Sequence, residues 1–273
     1  MAGFTFLSFL FFILAGSVVG FFAGFFGVGG GLLMVPLLIF SYEHAGISSS
    51  VLTHLAIGTS LFVIVFASIM SAYQHSRQRT IHWRAVLIIG FSSALTALAT
   101  ARFVAAMRGR HLQIVFAMVM IIAAIRMLTE SQMEAQKKLE VTPKPNPLGL
   151  AGIGLATGVF SALAGVGGGI VIIPLTYNFF NFPLKLAIGT SSATIVITAF
   201  FSLVGYFVNG LGCADLPRWT LGFVDLWHGA ALALGSLFFA RAGAYVSFKT
   251  HPFRLRKIFV FFVLSVSIYI LTK

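Results

Sequence analysis

The sequence predicts an all-α, polytopic integral membrane protein built from two homologous repeats with glycine-broken helices. Mean hydropathy is +1.01, and 59% of the residues are hydrophobic while only 9% are charged. A soluble domain usually carries about 25% charged residues. The apolar runs are long and continuous, which excludes the short alternating segments of a transmembrane β-barrel. Two strings of residues that each occur twice indicate the repeats.

The first repeated string is glycine-rich: Gly27–Gly31, of sequence GVGGG, recurs as Gly165–Gly169. A proline follows each copy at the same distance, at Pro36 and Pro174. As a single helix, residues 3–40 would be about 57 Å long at about 1.5 Å per residue, whereas the hydrocarbon core is only about 30 Å thick. We therefore expect this first apolar segment, and its counterpart in the second half, to break at the glycines.

The remaining membrane segments are predicted from the apolar runs that lie between charged residues. These runs cover residues 51–73, 84–101, 111–129, 186–208, 219–240 and 257–272. The only polar, proline-rich stretch lies between the two halves and is interpreted as a linker. The predicted organisation is a first membrane repeat at 1–129, the linker at 130–147 and a second membrane repeat at 148–273.

The number of spans depends on how each broken segment is counted. If each crosses the membrane once, the chain has eight spans and the repeats are parallel. If each returns to the side where it began, it counts as two, which gives up to ten segments and inverted repeats. Under the second count most Lys and Arg collect on one side, in loops 74–84, 130–147 and 241–257. The positive-inside rule therefore favours the second count, although both remain open at this stage.

Composition also excludes several classes of function. The net charge is +12, but Lys and Arg flank apolar runs as they do at the ends of spans, so no nucleic-acid partner is expected. A single cysteine, Cys213, excludes an internal disulfide and a cysteine-based metal cluster. The isolated histidines lack metal-ligand spacing. No nucleophile–base constellation is present, so we expect neither an enzyme nor a bound metal or cofactor.

The glycine breaks are the predicted substrate site. Glycine permits close approach of backbone to ligand and unusual backbone angles. A helix that restarts after a break presents free N–H groups and a positive dipole end, and two such ends near the midplane would bind an anion. The alternative is that these glycines serve helix packing or form kinks. The candidate residues are Gly27, Gly29, Gly30, Gly31, Gly165, Gly167, Gly168 and Gly169.

The second repeated string is Leu55–Ser60, of sequence LAIGTS, which recurs as Leu186–Ser191. Its hydroxyl groups can donate hydrogen bonds to the oxygens of an anion. The alternative is that they bond to carbonyl groups four residues earlier in their own helix, as Ser and Thr in membranes often do. The candidate substrate-binding hydroxyls are Thr59, Ser60, Thr190 and Ser191.

Ionisable residues lie beside these strings. His54 and Lys185 immediately precede the two copies of LAIGTS. At both positions a role in anion entry or binding stands against simple anchoring at the membrane interface. Asp225, close to Trp227 and His228, is a candidate proton-coupling carboxylate, because acids within membranes are functional candidates by default. Its alternative role is to cap the helix that follows.

The two GVGGG strings with their following prolines, the two LAIGTS strings, and helices led by Trp83 and Trp227 resemble the TauE/SafE sulfite-exporter family, also called TSUP. The resemblance covers nearly the whole chain. It implies a multi-pass transporter of the bacterial cytoplasmic, or inner, membrane. The implied substrates are sulfur-containing anions such as sulfite, thiosulfate or organosulfonates. The glycine and Gly-Thr-Ser motifs would then form the substrate region.

We therefore expect a secondary transporter that exports a small sulfur-containing anion by alternating access around a midplane site. Since no ATP-binding motif is present, an ion or substrate gradient is the expected driving force. The expected partners are the small anionic substrate and the lipid bilayer, and a homodimer is compatible with the sequence. Alternative functions are a non-transporting membrane subunit or sensor, and an anion channel.

Overall fold

The fold is that of an all-α membrane protein. The computed structural model describes residues 6–105 and 145–249, apart from 214 and 218, and the isolated helical positions 114, 118, 121, 125, 261 and 268. Six helices in these ranges are long and apolar enough to cross a membrane. The predicted spans at 111–129 and 257–272, and most of the linker, lie outside the described residues. The described helices are α1 (Phe6–Phe26), α2 (Gly31–His44), α3 (Ser49–Arg77), α4 (Trp83–Ala105), α5 (Pro147–Ala164), α6 (Gly169–Phe180), α7 (Leu184–Asn209) and α8 (Leu226–Lys249).

Both long apolar segments break at the predicted glycines. The helices α2 and α6 begin at the last motif glycine, Gly31 and Gly169. They contain 14 and 12 residues, or about 21 and 18 Å at about 1.5 Å per residue. Both are shorter than the hydrocarbon core of about 30 Å. The helix α2 continues to His44, beyond its predicted end at residue 40, because the chain first adopts a positive φ at Gly46.

The helix α8 begins later than predicted. Its apolar run starts at residue 219, but the helix starts at Leu226. Gly222 has a positive φ of 56°, and Asp225 accepts hydrogen bonds from N–H groups of the first helical turn. Hydropathy marks the residues that enter the membrane, whereas the turn and the capping residue decide where the helix starts.

The helices α1 and α3 run in the same direction, although α2 lies between them. Gly16 lies against Leu232, and Gly24 lies against Ala240, so α1 is parallel to α8. Thr59, in the N-terminal part of α3, bonds Asp225 at the start of α8, and Gln74, near the end of α3, bonds Arg241 in the C-terminal part of α8. The helices α3 and α8 are therefore also parallel. The helix α2 therefore returns the chain to the side on which α1 began.

Corresponding helices of the two halves run in opposite directions. Gly58 of α3 lies against Tyr206 of α7, while Ser71 of α3 hydrogen-bonds Ser192 of α7. Because α3 and α7 carry the two LAIGTS strings, their antiparallel packing makes the halves inverted. Each broken segment therefore counts as two. The halves are also interleaved, since α1 packs on α8 and α5 packs on α4.

Candidate functional site

The two glycine motifs adopt the same backbone conformation. In each, the glycines at the first, third and fourth positions of the motif have a positive φ, the left-handed region that favours glycine. The glycine at the fourth position then caps the short helix that follows. The repeated sequence therefore produces a repeated geometry. The φ angles are 63°, 86° and 81° at Gly27, Gly29 and Gly30, and 64°, 78° and 89° at Gly165, Gly167 and Gly168.

The backbones of the two motifs touch each other. A Cβ atom added to Gly31 would lie 2.2 Å from the carbonyl oxygen of Gly165. A Cβ atom added to Gly169 would lie 2.7 Å from the carbonyl oxygen of Gly27. Since a side chain does not fit at either distance, glycine at positions 31 and 169 is required for this close approach.

The two motifs also lie at the same level of the helical bundle. A Cβ atom on Gly29 would lie 3.2 Å from Ile64 and 3.4 Å from Ile195, and one on Gly167 would lie 3.1 and 2.7 Å from the same residues. These isoleucines stand near the middle of α3 and α7, the corresponding helices that contact each other. The breaks therefore meet at mid-helix level between the halves.

Several backbone N–H groups at the breaks are not hydrogen-bonded within the part of the chain that the structure describes. They belong to residues 28–30 and 166–168. The helices α2 and α6 begin one residue later, so the positive ends of two helix dipoles meet here. Together these features form an arrangement that can hold an anion without a cationic side chain.

The serines of the LAIGTS strings hold the motifs together. Ser60 donates a hydrogen bond of 2.9 Å to the carbonyl oxygen of Gly165, and Ser191 donates one of 2.9 Å to that of Gly27. Both bonds are buried, and each joins one half to the other. The hydroxyl groups therefore donate neither to their own helix nor into open space. Each fixes the first residue of the opposite break.

The threonines of the same strings hold helix starts. Thr59 accepts the N–H of Asp225 at 2.9 Å, and Thr190 accepts the N–H of His82 at 3.0 Å. Asp225 and His82 precede α8 and α4, the fourth helices of the second and first halves. The threonines thus bind equivalent places in opposite halves.

The glycine before each threonine allows the contact. A Cβ atom on Gly58 would lie 1.9 Å from the carbonyl oxygen of Phe223, and one on Gly189 would lie 2.2 Å from that of Thr80. The three residues Gly-Thr-Ser therefore act as one clamp. Glycine admits a loop of the opposite half, threonine binds the helix start after that loop, and serine binds the opposite glycine break.

The basic positions before the two strings differ in their surroundings. His54 is only 2% exposed, and its ring centroid lies 5.2 Å from that of Phe223. Lys185 is exposed in the first turn of α7. Although the two positions correspond in sequence, only the lysine can meet a solvated anion without a change in structure.

A small pocket adjoins the first break, and the sequence did not predict it. It is too narrow to admit a water molecule. Ser71 and Ser192 hydrogen-bond across it at 3.0 Å. The one feature of the sequence that could have pointed to these serines is that Ser192 directly follows the second LAIGTS string. The pocket is lined by Ala23, Gly29, Ala67, Ser68, Ser71, Ser192 and Ile195.

Asp225 caps α8, as the alternative interpretation predicts, and it also pairs with a histidine. Its Oδ1 accepts the N–H groups of Trp227 and His228 at 3.0 and 3.1 Å. Its Oδ2 lies 2.5 Å from Nδ1 of His228. The carboxylate is fully buried, whereas the His228 side chain is 18% exposed. A buried acid is therefore joined to a partly exposed base.

Comparison with known proteins identifies the family. The model of the family described as Sulfite exporter TauE/SafE matches residues 12–270. A "Probable membrane transporter protein" of Haemophilus influenzae is 30% identical over 271 residues, which cover 99% of this chain and 100% of the relative. A relative in Methanocaldococcus jannaschii, also named a "Probable membrane transporter protein", is 31% identical over 245 residues, or 89% of this chain and 88% of the relative. No solved structure shows a significant match.

The family match extends over nearly the whole chain, and the curated relatives are named as membrane transporters. The helices long enough to cross a membrane agree with that assignment. The chain therefore belongs to the TauE/SafE sulfite exporter family, and it is a multi-pass membrane transporter rather than an enzyme.

Proposed function

We propose that the chain is a secondary transporter that exports small sulfur-containing anions, such as sulfite or an organosulfonate, by alternating access around the two glycine breaks. The observation that carries this proposal is the meeting of two helix N-termini whose adjoining N–H groups, at residues 28–30 and 166–168, find no acceptor among the described residues. Such groups favour a compact anion. Membership of a sulfite exporter family supports a sulfur-containing anion.

The inverted halves support alternating access. Broken helices at the interface of inverted repeats are the usual substrate sites of secondary transporters. The pocket beside Gly29 is too narrow for water, so an anion enters only after the breaks or the neighbouring helices separate. The Gly-Thr-Ser clamps join the halves at both breaks and are the contacts that such a movement must rearrange.

In this proposal the candidate residues have different roles. The motif glycines supply backbone N–H groups. Ser60 and Ser191 position the breaks through the glycine carbonyls, and the adjacent threonines position helix starts. Lys185, exposed at the start of α7, attracts the anion from solution, whereas buried His54 participates only after the surrounding helices move.

Transport by the purified full chain in lipid vesicles tests the proposal. Labelled sulfite, thiosulfate, an organosulfonate, sulfate and a carboxylate are compared for saturation and for counterflow against unlabelled substrate. We expect saturable counterflow of at least one sulfur-containing anion and little of the carboxylate. Flux without saturation or counterflow would instead indicate a channel. An absence of flux for every anion would leave the chain as a non-transporting subunit and overturn the proposal.

A further inference from the structure

Four polar side chains form a cluster at the start of α8: Tyr42, Thr59, Asp225 and His228. Asp225 and His228 pair at the start of α8. Tyr42, near the end of α2, donates a hydrogen bond of 3.3 Å to Thr59 of α3, and its ring centroid lies 6.0 Å from that of His228. Thr59 in turn accepts the backbone N–H of Asp225. The cluster therefore joins three helices.

The carboxylate of this cluster lies well below the end of the bundle. Thr59 stands ten positions after Ser49, the first residue of α3, and this separation corresponds to about 15 Å along the helix axis. Since Asp225 bonds to Thr59, its carboxylate lies at a similar depth and is fully buried. Ionisable groups inside membrane proteins are costly to bury and commonly belong to ion or proton pathways.

We propose that Asp225 and His228 form a proton-binding site that couples proton movement to anion transport. This inference rests on the proposed function. An ionised Asp225 can only accept hydrogen bonds, so the neutral imidazole of His228 carries its proton on Nδ1, where it faces Asp225 Oδ2. A second proton binds Nε2 of the partly exposed imidazole and gives an imidazolium–carboxylate pair, and its release restores the neutral imidazole. The proton thus enters and leaves through His228, while Asp225 stabilises the charged form.

The cluster is placed to transmit the change in charge. Tyr42 lies on α2, the helix that begins at the first glycine break, and Thr59 belongs to the Gly-Thr-Ser clamp. A changed charge at His228 alters the contacts of both residues. Other titratable groups on this side of the bundle are His54 of α3, whose ring contacts Phe223, Glu43 and His44 at the end of α2, and Asp215, which accepts a hydrogen bond from Ser50. On α1, the ring of Phe12 lies 4.5 Å from that of His228.

Capping alone does not account for the pair. The equivalent helix start in the first half is capped by His82, whose Nδ1 accepts the N–H of Ala85 at 3.2 Å. The backbone N–H of His82 is bound by Thr190, just as that of Asp225 is bound by Thr59, but this helix start contains no carboxylate. Ser, Thr or Asn would cap α8 without a buried charge. The acid and its base therefore distinguish the second half from the first.

The test uses the full chain in vesicles with labelled thiosulfate as the substrate. Thiosulfate stays ionised, whereas sulfite takes up protons and then crosses the bilayer without a transporter. Two rates are measured: accumulation driven by a pH gradient, and counterflow without one. Asp225→Asn keeps the cap but removes the negative charge that stabilises the imidazolium. His228→Asn keeps a donor at the Nδ1 position but has no group that binds the second proton. His44→Asn is the matched control, because His44 is exposed and bonds only locally to Phe40.

We expect gradient-driven accumulation to fall about tenfold in both variants, a factor within the usual range of coupling between two sites. Counterflow by these variants, and both rates in the control, should remain close to wild type. If the ratio of accumulation to counterflow in His228→Asn equals that of the wild type, the proposed proton site is wrong. If Asp225→Asn fails to fold, the result for His228→Asn is sufficient by itself. Failure of the proposed function looks different, since the wild type would then show no counterflow of any sulfur-containing anion. That result overturns both proposals.

Discussion

Replacing Gly31 with alanine should push the two glycine breaks apart. The new Cβ atom would lie 2.2 Å from the carbonyl oxygen of Gly165 and 2.7 Å from Cα of Val166. To reach van der Waals separation the backbones must move by about 1 Å. Gly31 is already helical with no positive φ, so the substitution introduces no local backbone strain and its effect reports the contact between the motifs.

The expected magnitude follows from two opposing terms. Overpacking of this kind costs about 1–3 kcal/mol, while alanine in place of glycine within a helix recovers about 0.5–1 kcal/mol. We therefore expect Gly31→Ala to lower the free energy of unfolding by about 1–2 kcal/mol and the counterflow rate by about tenfold, the factor that corresponds to about 1.4 kcal/mol. Gly169→Ala should have a smaller effect, because its closest contact is 2.7 Å.

Unfolding in detergent and counterflow in vesicles provide the measurements, with Gly152→Ala as the control. Gly152 is exposed on α5, and a Cβ atom there meets nothing within 4 Å. Gly243 is unsuitable as a control, since its Cβ would lie 1.9 Å from the carbonyl oxygen of Phe21 and 3.0 Å from the backbone nitrogen of Phe25, close to the first motif. If Gly31→Ala transports as fast as the control and is equally stable, the close contact of the breaks has no functional importance.

Other substitutions test the remaining contacts. Ser60→Ala and Ser191→Ala should each lower the free energy of unfolding by about 1–3 kcal/mol, because each leaves a buried carbonyl without its donor; denaturation that shows no loss in either would refute the clamp. Thr190→Val should reduce transport in vesicles without abolishing it, because one backbone N–H loses its acceptor; a wild-type rate would contradict this. Lys185→Ala should weaken anion binding about tenfold, as expected for loss of a contact worth about 1.4 kcal/mol. The effect should exceed that of Arg126→Ala, because Arg126 adjoins neither repeated string in the sequence. Equal small effects in a binding titration would make Lys185 an interfacial anchor.

The sequence was a good guide wherever local chemistry decides the outcome. The breaks at the two glycine motifs follow from apolar segments too long for one span and from the backbone freedom of glycine, and the structure places them there. The start of α8 was predicted poorly for the opposite reason. Hydropathy continues through residues 219–225, but a turn at Gly222 and the cap at Asp225 delay the helix.

Equivalence in sequence did not predict equivalence in environment. His54 and Lys185 hold matching positions, yet one is buried against Phe223 and the other is exposed. The loops that pack against the two positions differ between the halves, and a repeated string carries no information about its non-repeated neighbours. The pocket serine Ser71 was missed for the same reason, since its partner Ser192 lies in the other half.

By itself, the sequence determined the membrane class, the positions of the helix breaks and the presence of two related halves, because composition, segment length and repetition are properties of the chain alone. Only the tertiary structure decided that the halves are inverted, that Ser60 and Ser191 bind the opposite breaks, and that the Asp225–His228 pair lies beside Tyr42. These features depend on contacts between residues far apart in the chain. Their partners are selected by helix packing, which no local pattern encodes.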